Sequence, residues 1–251
     1  MKILYVAFAL IGISVIGNIV LYALGYSPFN LITIDDKQSI SSKDKEKIYI
    51  SSTSGDIKVI PTDGESIYIE MVGKAEKKAK NDFSLSIKTL NDEIHVKAIQ
   101  KEKKRFFVLN PGAYELLVKV PRRKFDTLHV DSGSANLNLS RIEANNYELK
   151  ALAGNITVNQ AKGKVDAETA VGDINLNMEY ISNDIEAKTT TGNITVKTQK
   201  IPEVYRTNLK SSFGNKIVDL PNVDNDSVGV NGPLVKLSSI DGDLAILMSN
   251  K

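Results

Sequence analysis

One motif constrains this chain more than any other feature. It is a corner of glycine followed by Asp or Asn, with alanine once in place of the glycine, set between two stretches of alternating apolar and polar residues, and it recurs in seven copies. Aligned on their opening residues, Ile48, Leu128, Tyr147, Val165, Ile185, Thr207 and Val235, the copies share further columns without a gap. Two positions on stand Ile50, Val130, Leu149, Ala167, Ala187, Leu209 and Leu237. Four positions on, every residue is small: Ser52, Ser132, Ala151, Thr169, Thr189, Ser211 and Ser239. The corner follows as Gly55-Asp56, Ala135-Asn136, Gly154-Asn155, Gly172-Asp173, Gly192-Asn193, Gly214-Asn215 and Gly242-Asp243. Apolar residues then resume at alternate positions, as in Ile57 and Val59 or Ile194 and Val196, with Lys216 as the exception.

Alternation with period two predicts a strand, a sharp turn and a second strand in each copy. Glycine supplies a positive backbone angle, and the Asp or Asn that follows can bond to backbone groups in the bend. The later copies open 18 to 28 residues apart, which suits one coil each of a solenoid whose coils stack about 4.8 Å apart. The expected fold is all-β: a single-stranded right-handed β-solenoid, parallel β-helix-like, preceded by a transmembrane helix. Regular repeats span 125–248. Residues 66–120 read as a strand-rich insertion after the first copy, with strands around Ile67–Met71, Phe83–Ile87, Ile94–Ala98 and Tyr114–Val120 packed on the first coils. Two departures stand out: Ala135 in the glycine column, where Gly133 can do the turning, and Lys216, which signals an irregularity between Pro202 and Pro221.

Ahead of the repeats, Ile3 to Leu24 is apolar apart from Gly12, Ser14, Gly17 and Asn18, and no charge occurs between Lys2 and Asp35. Twenty-two helical residues reach about 33 Å, enough to cross a hydrocarbon core about 30 Å thick. Residues 1–25 are therefore expected to be an uncleaved signal anchor. A cleaved signal peptide competes, with Ala23-Leu24-Gly25 as its processing site. Residues 26–47, rich in Ser, Lys, Asp and Glu, read as a polar linker to the domain at 48–251. Lys37, Lys43, Lys45 and Lys47 follow the span and only Lys2 precedes it, so the positive-inside count favours a cytoplasmic domain. The fold class and the lack of cytoplasmic catalytic motifs favour an extracytoplasmic one.

The stretch Leu117-Val118-Lys119-Val120-Pro121, then Phe125, Leu128, Val130, Ser132 and Gly133, followed by the G-N-I-T-V and G-D-I-N-L copies, resembles a bacterial β-strand-repeat family of adhesin-like proteins. That family is a domain of unknown function, also found in membrane-anchored LiaG-like envelope proteins with one N-terminal span. The resemblance covers roughly Ile48 to Met248. It implies an external repeat domain at the cell envelope, with a place in the envelope stress response, and brings no catalytic residues.

Chemistry is expected on the outward columns. Glu148, Asp166 and Glu186 each follow an opening residue, so they should stack on three consecutive coils. Such carboxylates can shift one another's pKa and do general-acid work on a glycan. Further out, Asp131, Lys150, Glu168 and Lys188 alternate in sign before Lys210, a pattern that reads as ion pairing on a solvated face rather than catalysis. Asp56, Asp173 and Asp243 raise a calcium reading, but they stand on separated copies and no G-G-x-G-x-D-x pattern occurs. A stacked turn ladder is the stronger expectation, and no metal site is expected. His95 and His129, each between apolar neighbours, point outward as surface residues.

Lys74, Lys77, Lys78 and Lys80, and then Lys101, Lys103, Lys104 and Arg105 beside Phe106 and Phe107, form two cationic runs. The second is the candidate contact for an anionic lipid or wall polymer, and both also read as solvated turns. Asn138, Thr157, Asn175 and Thr195 offer a neutral face suited to sugars.

Zero cysteine removes disulfides and thiolate chemistry, and 32 cations against 30 anions lack the basic excess of a nucleic-acid binder. The expected function is therefore a membrane-anchored, extracytoplasmic binding or scaffold protein that is not an enzyme and needs no cofactor. Its partners would be the membrane, through the N-terminal helix, and a cell-wall polymer, glycan or envelope protein, with no nucleic acid. The alternatives are a carbohydrate-active enzyme of β-helix type using Glu148, Asp166 and Glu186, and a cytoplasmic scaffold in the reverse orientation.

Overall fold

The computed structural model describes residues 2–23, 31–101, 112–200, 203–220 and 232–249. Helix α1 (Lys2–Ala23) is apolar on all sides. Its segment Leu4–Ala23, with a mean hydropathy of 2.3 and no part buried, is long and apolar enough to cross a membrane.

The body starts earlier than the sequence suggests. Strand β1 (Leu31–Ser41) occupies half of the expected linker and pairs antiparallel with β4 (Ser66–Glu76) along its whole length. Its polar composition belongs to an edge strand with one wet face, while Ile34 faces the core.

The repeats form two parallel sheets whose inner faces pack together. Each coil, or rung, gives its first strand to one sheet and its second, after the corner, to the other. In space, rung one is β6 (Glu93–Gln100) with β7 (Ala113–Pro121), and rung two is β2 (Lys47–Ser52) with β3 (Asp56–Thr62). Rung three is β8 (Lys124–Ser134) with β9 (Leu137–Ser140). Rung four is β10 (Glu143–Ala153) with the first half of β11 (Ile156–Val171), and rung five is the second half of β11 with β12 (Ile174–Met178). Rung six is β13 (Ile185–Thr191) with β14 (Ile194–Thr198). Then β17 (Leu234–Asp241) and β18 (Leu244–Met248) make rung seven, and β15 (Arg206–Phe213) and β16 (Lys216–Asp219) make rung eight.

The simple solenoid expectation needs correction here, because chain order and stacking order differ at both ends. The first sequence copy lies between the insertion and the second copy, and the last copy lies inside the penultimate one. Rungs with the same columns accept either order, so local periodicity cannot distinguish them. All four strands expected in the insertion are present, with β5 (Phe83–Leu90) as the second. Two of them, β6 and β7, are a rung in their own right.

The core is a set of aliphatic ladders. Ile94, Ile48, Leu128, Tyr147, Val165, Ile185 and Val235 are at most 1% exposed, as are Leu116, Ile57, Leu137, Ile156, Ile174, Ile194 and Leu244 on the opposite sheet. Tyr147 carries its hydroxyl into this core, where it donates to Ile142 O and accepts from Ala144 N; burial pushes its pKa up to about 12.

The corners hold the rungs together. Asn136 N donates to Asp56 Oδ1 (2.9 Å), Asn155 N to Asn136 Oδ1 (3.0 Å), and Asp173 N to Asn155 Oδ1 (2.8 Å). The ladder continues through Asp173, Asn193 and Asp243 to Asn215 at 2.7–2.8 Å. The Asx side chains thus bond to the backbone of the next rung rather than to their own bend. Oxygens of Asp56, Asp173 and Asp243 are engaged in this ladder, as the turn-ladder reading expects. Gly154, Gly172, Gly192 and Gly242 are required by contact as well as by backbone angle, and Gly133 by contact alone. A Cβ on Gly192 (φ +145°) would stand 2.1 Å from Gly172 O, and one on Gly133 would stand 2.4 Å from Thr53 O. Gly133 therefore takes the close approach in the copy that carries Ala135.

Candidate functional site

Because the inner columns are filled with packing, the outer face of the first sheet carries the candidate chemistry. Strand register aligns the positions after the opening residues as His95, Tyr49, His129, Glu148, Asp166, Glu186, Lys236 and Asn208 on successive rungs. The three carboxylates do stack as expected. His129 beside Glu148 follows from the same register, whereas Tyr49, His95 and Lys236 were not legible as neighbours, because they belong to rungs whose place in the stack the sequence hides.

Tyr49 lies flat against His95, with ring centroids 4.7 Å apart and planes 6° apart, and tilts towards His129 at 5.5 Å. His95 Nε2 meets Glu93 Oε2 at 2.8 Å and His129 Nδ1 meets Glu148 Oε2 at 3.0 Å. At the other end of the column, Lys236 Nζ donates to Glu186 Oε1 at 2.6 Å. The outer members of the carboxylate trio are thus paired. Asp166 sits between them, its pKa raised by burial and then by the Glu186 charge. Burial likewise raises the Tyr49 phenol, with the Glu93 charge adding to the effect.

Two positions further along, Lys97, Ser51, Asp131, Lys150, Glu168, Lys188 and Ser238 align in the same way. Lys188 pairs with Glu168 at 3.4 Å, as the alternating signs predict. Beyond this column the strands bend. The ladder passes from Ala151↔Ser132 directly to Ala153↔Ser134, leaving Leu152 and Gly133 outside it. Leu152 projects from the surface at 67% exposure.

Between the charged column and the projecting residues Thr53, Leu152, Ala170 and Thr190 runs a furrow of about 690 Å³. Its lining residues come from six successive rungs, from Lys97 to Thr190, which at about 4.8 Å per rung is about 24 Å of continuous surface. The small column forms its floor. There Thr169 Oγ1 donates to Gly154 O and Thr189 Oγ1 to Gly172 O, both at 3.1 Å. Ser132 Oγ, in the same column, is buried and has no partner among the described residues. Its counterpart acceptor, Gly55 O, is taken by Ser52 Oγ at 2.8 Å.

On the second sheet, Asn138, Thr157, Asn175 and Thr195 align as expected. Lys77 and Lys80 lie on a 3-10 helix (Lys77–Asp82) at the rung-one end, and Lys101 is exposed beside it, donating its backbone N–H to Asp82 O. Lys103, Lys104 and Arg105 lie outside the described residues.

A two-sheet parallel stack with solid core ladders and a long furrow on one face defines the class: a β-solenoid-like repeat domain. Family comparison reaches the same place: Toastrack DUF4097 matches residues 45–165 and 136–246, and the chain belongs to that family. Among solved structures it is similar to a candidate cell adhesion protein from Clostridium sporogenes, at 10% identity over 87% of this chain and all of that one, with a TM-score of 0.54. A candidate adhesin from Bacteroides fragilis shows 16% identity over 88% of this chain and 98% of that one, with a TM-score of 0.48. The first likeness shows the shared fold. No curated protein matches the chain.

Proposed function

We propose that this protein is a membrane-anchored, extracytoplasmic binding scaffold that receives an extended partner, such as a wall polymer or a segment of an envelope protein, along its furrow. The observation that carries the reading is the furrow itself. It is open, crosses six rungs, and places alternating charges along one wall and a mixture of apolar and hydroxyl groups, Leu152 and Ala170 between Thr53 and Thr190, along the other. That arrangement suits a linear ligand read repeatedly along its length better than a small molecule enclosed on all sides.

In this reading α1 is an uncleaved anchor. The long domain that follows it favours export despite the lysines after the span, because large domains translocate largely regardless of their charge. The coils wind right-handed, the hand that parallel crossover connections adopt. Catalysis is no part of the proposal, since His129 Nδ1 and Lys236 Nζ engage Glu148 and Glu186 at 3.0 Å and 2.6 Å, so two of the three carboxylates already have protein partners.

The test compares the full-length protein with a Leu152→Asp/Ala170→Asp variant, both in detergent micelles, for retention on isolated cell-wall polymer and on solubilised envelope proteins. The proposal expects retention by the natural protein and loss of most of it in the variant at unchanged melting temperature. Equal retention by both, or none by either, overturns it.

A further inference from the structure

The two ends of the stack are built differently. At rung one, β5 covers the outer edge of β6 in antiparallel pairing, while β4 and then β1 cover β7. The 3-10 helix closes the core between them with the buried Ala79. At rung eight, no described strand pairs with the outer edge of β15 or of β16. Leu209 and Val218 pack against the core yet stay only partly buried, and Phe213 and Ile217 are 73% and 50% exposed. Repeat stacks need their last rung covered, because an open rung exposes both the core ladder and unpaired backbone groups.

The backbone directions at this end are fixed. Arg206 N donates to Pro233 O, and Leu244 N donates to Asn215 O. By strand alternation, the N–H and C=O of Leu209 and Ser211 on β15, and of Lys216 and Val218 on β16, point away from the stack. Leu209 and Val218 both turn towards the core from facing strands and flank the Phe213-Gly214 corner symmetrically, each in the fifth position from the bond between those two residues.

We infer that the rung-eight end is a self-association surface on which a second copy of this chain docks end to end, about a two-fold axis perpendicular to both sheets through Leu209 and Val218. That operator pairs β15 antiparallel with its own copy and β16 with its own copy in one step. Each Leu209 meets Leu209, and each Val218 meets Val218, as pairs that exchange both backbone hydrogen bonds. A single added peptide strand would cover only one of the two edges. The core ladders become continuous across the junction.

Facing side chains avoid like charges: Asn208 stands opposite Lys210, Arg206 opposite Ser212, and Ile217 opposite Asp219. Strand edges about 26 Å long on β15 and about 13 Å long on β16, with sheets about 10 Å apart, cover about 400 Å² per copy. The total of about 800 Å² is the size of a weak, concentration-dependent association. Arg206, Lys210 and Lys216 on each copy repel at longer range, so added salt strengthens this association where it would weaken one built on ion pairs.

The experiment uses the full chain, which has no cysteine of its own, in detergent micelles. Asn208 and the Lys210 of a second copy form a non-hydrogen-bonded antiparallel pair, whose Cα atoms come within reach of a disulfide. On mild oxidation the Asn208→Cys/Lys210→Cys variant should run as a covalent dimer that reductant reverses. A Glu148→Cys/Lys150→Cys control, with the same spacing at mid-stack, should not. Independently of any variant, the sedimenting mass of the natural protein should rise from one chain to two with concentration, and at lower concentration in high salt. A monomer at every concentration, as coverage of the end by residues 221–231 of the same chain would give, overturns the inference. So does cross-linking of the control to the same extent.

Discussion

Replacing Gly192 by alanine tests the corner packing that joins the rungs. Two costs add. A residue with a side chain at φ +145° occupies backbone space that glycine alone uses freely, at about 1–3 kcal/mol. The new methyl carbon would also stand 2.1 Å from Gly172 O and 2.6 Å from Gly172 C. These are backbone atoms of the adjacent rung that can retreat only by moving that rung, at about 1–3 kcal/mol more. With a central value of about 4 kcal/mol, the melting temperature should fall by about 8–16 °C. Gly64 supplies the control, for it has φ +95° and nothing within 4 Å of an added Cβ. Gly64→Ala carries the conformational cost alone and should lower the melting temperature by about half as much. The assay is thermal unfolding of the full-length protein followed by β-sheet circular dichroism. Equal losses in the two variants would refute the claim that close stacking of the corners, in addition to their backbone angle, makes glycine necessary.

Two further substitutions probe other columns. Asn155→Ala removes the acceptor for Asp173 N and should cost about 1 kcal/mol, while Asn155→Asp, which keeps the oxygen, should cost less; thermal unfolding reads both. Asp166→Asn addresses the carboxylate column, where the raised pKa of Asp166 means that the folded state disfavours its charge. The stability contribution of Asp166 is then fully present below its unfolded pKa and is lost as pH rises through the folded value. The variant should melt about 1 °C above the natural protein at neutral pH, given a few tenths of a kcal/mol of exposed cross-strand repulsion. The difference should vanish below the ordinary carboxylate pKa of 3.8, and a variant that melts lower at neutral pH would contradict the assignment.

The columns that face inward were legible residue by residue, because a buried ladder demands an aliphatic residue at every rung and a close corner demands glycine. The outward alignments within 128–196 followed from the same register, and so the stacking of Glu148, Asp166 and Glu186 was readable. The order of rungs was not. Ile48 can pair equally well beside Ile94 or Leu128, and it pairs with both. Rung one escaped notice because its corner is stretched between Gln100 and Ala113 and carries no Gly-Asx pair, although Ile94, Val96 and Ala98 repeat the first inward columns and leave His95 and Lys97 outside. With that rung hidden, neither the Tyr49 stack nor the full length of the furrow was visible. β1 was lost for a different reason, since a one-sided edge strand such as Asp35 to Gln38 looks like a spacer in composition.

The insertion of rung two between rungs one and three builds both the furrow and the aromatic stack. Cysteine pairs in this cysteine-free chain measure it directly. Ser51 is the register partner of both Lys97 and Asp131, so Ser51→Cys/Lys97→Cys and Ser51→Cys/Asp131→Cys should each form an intrachain disulfide under mild oxidation. Lys97→Cys/Asp131→Cys, two rungs or about 9.6 Å apart, should stay reduced. A disulfide in that last variant, with none in Ser51→Cys/Asp131→Cys, would mean that the rungs stack in chain order, β2 then β6 then β8, and that the order of charges along the furrow is wrong.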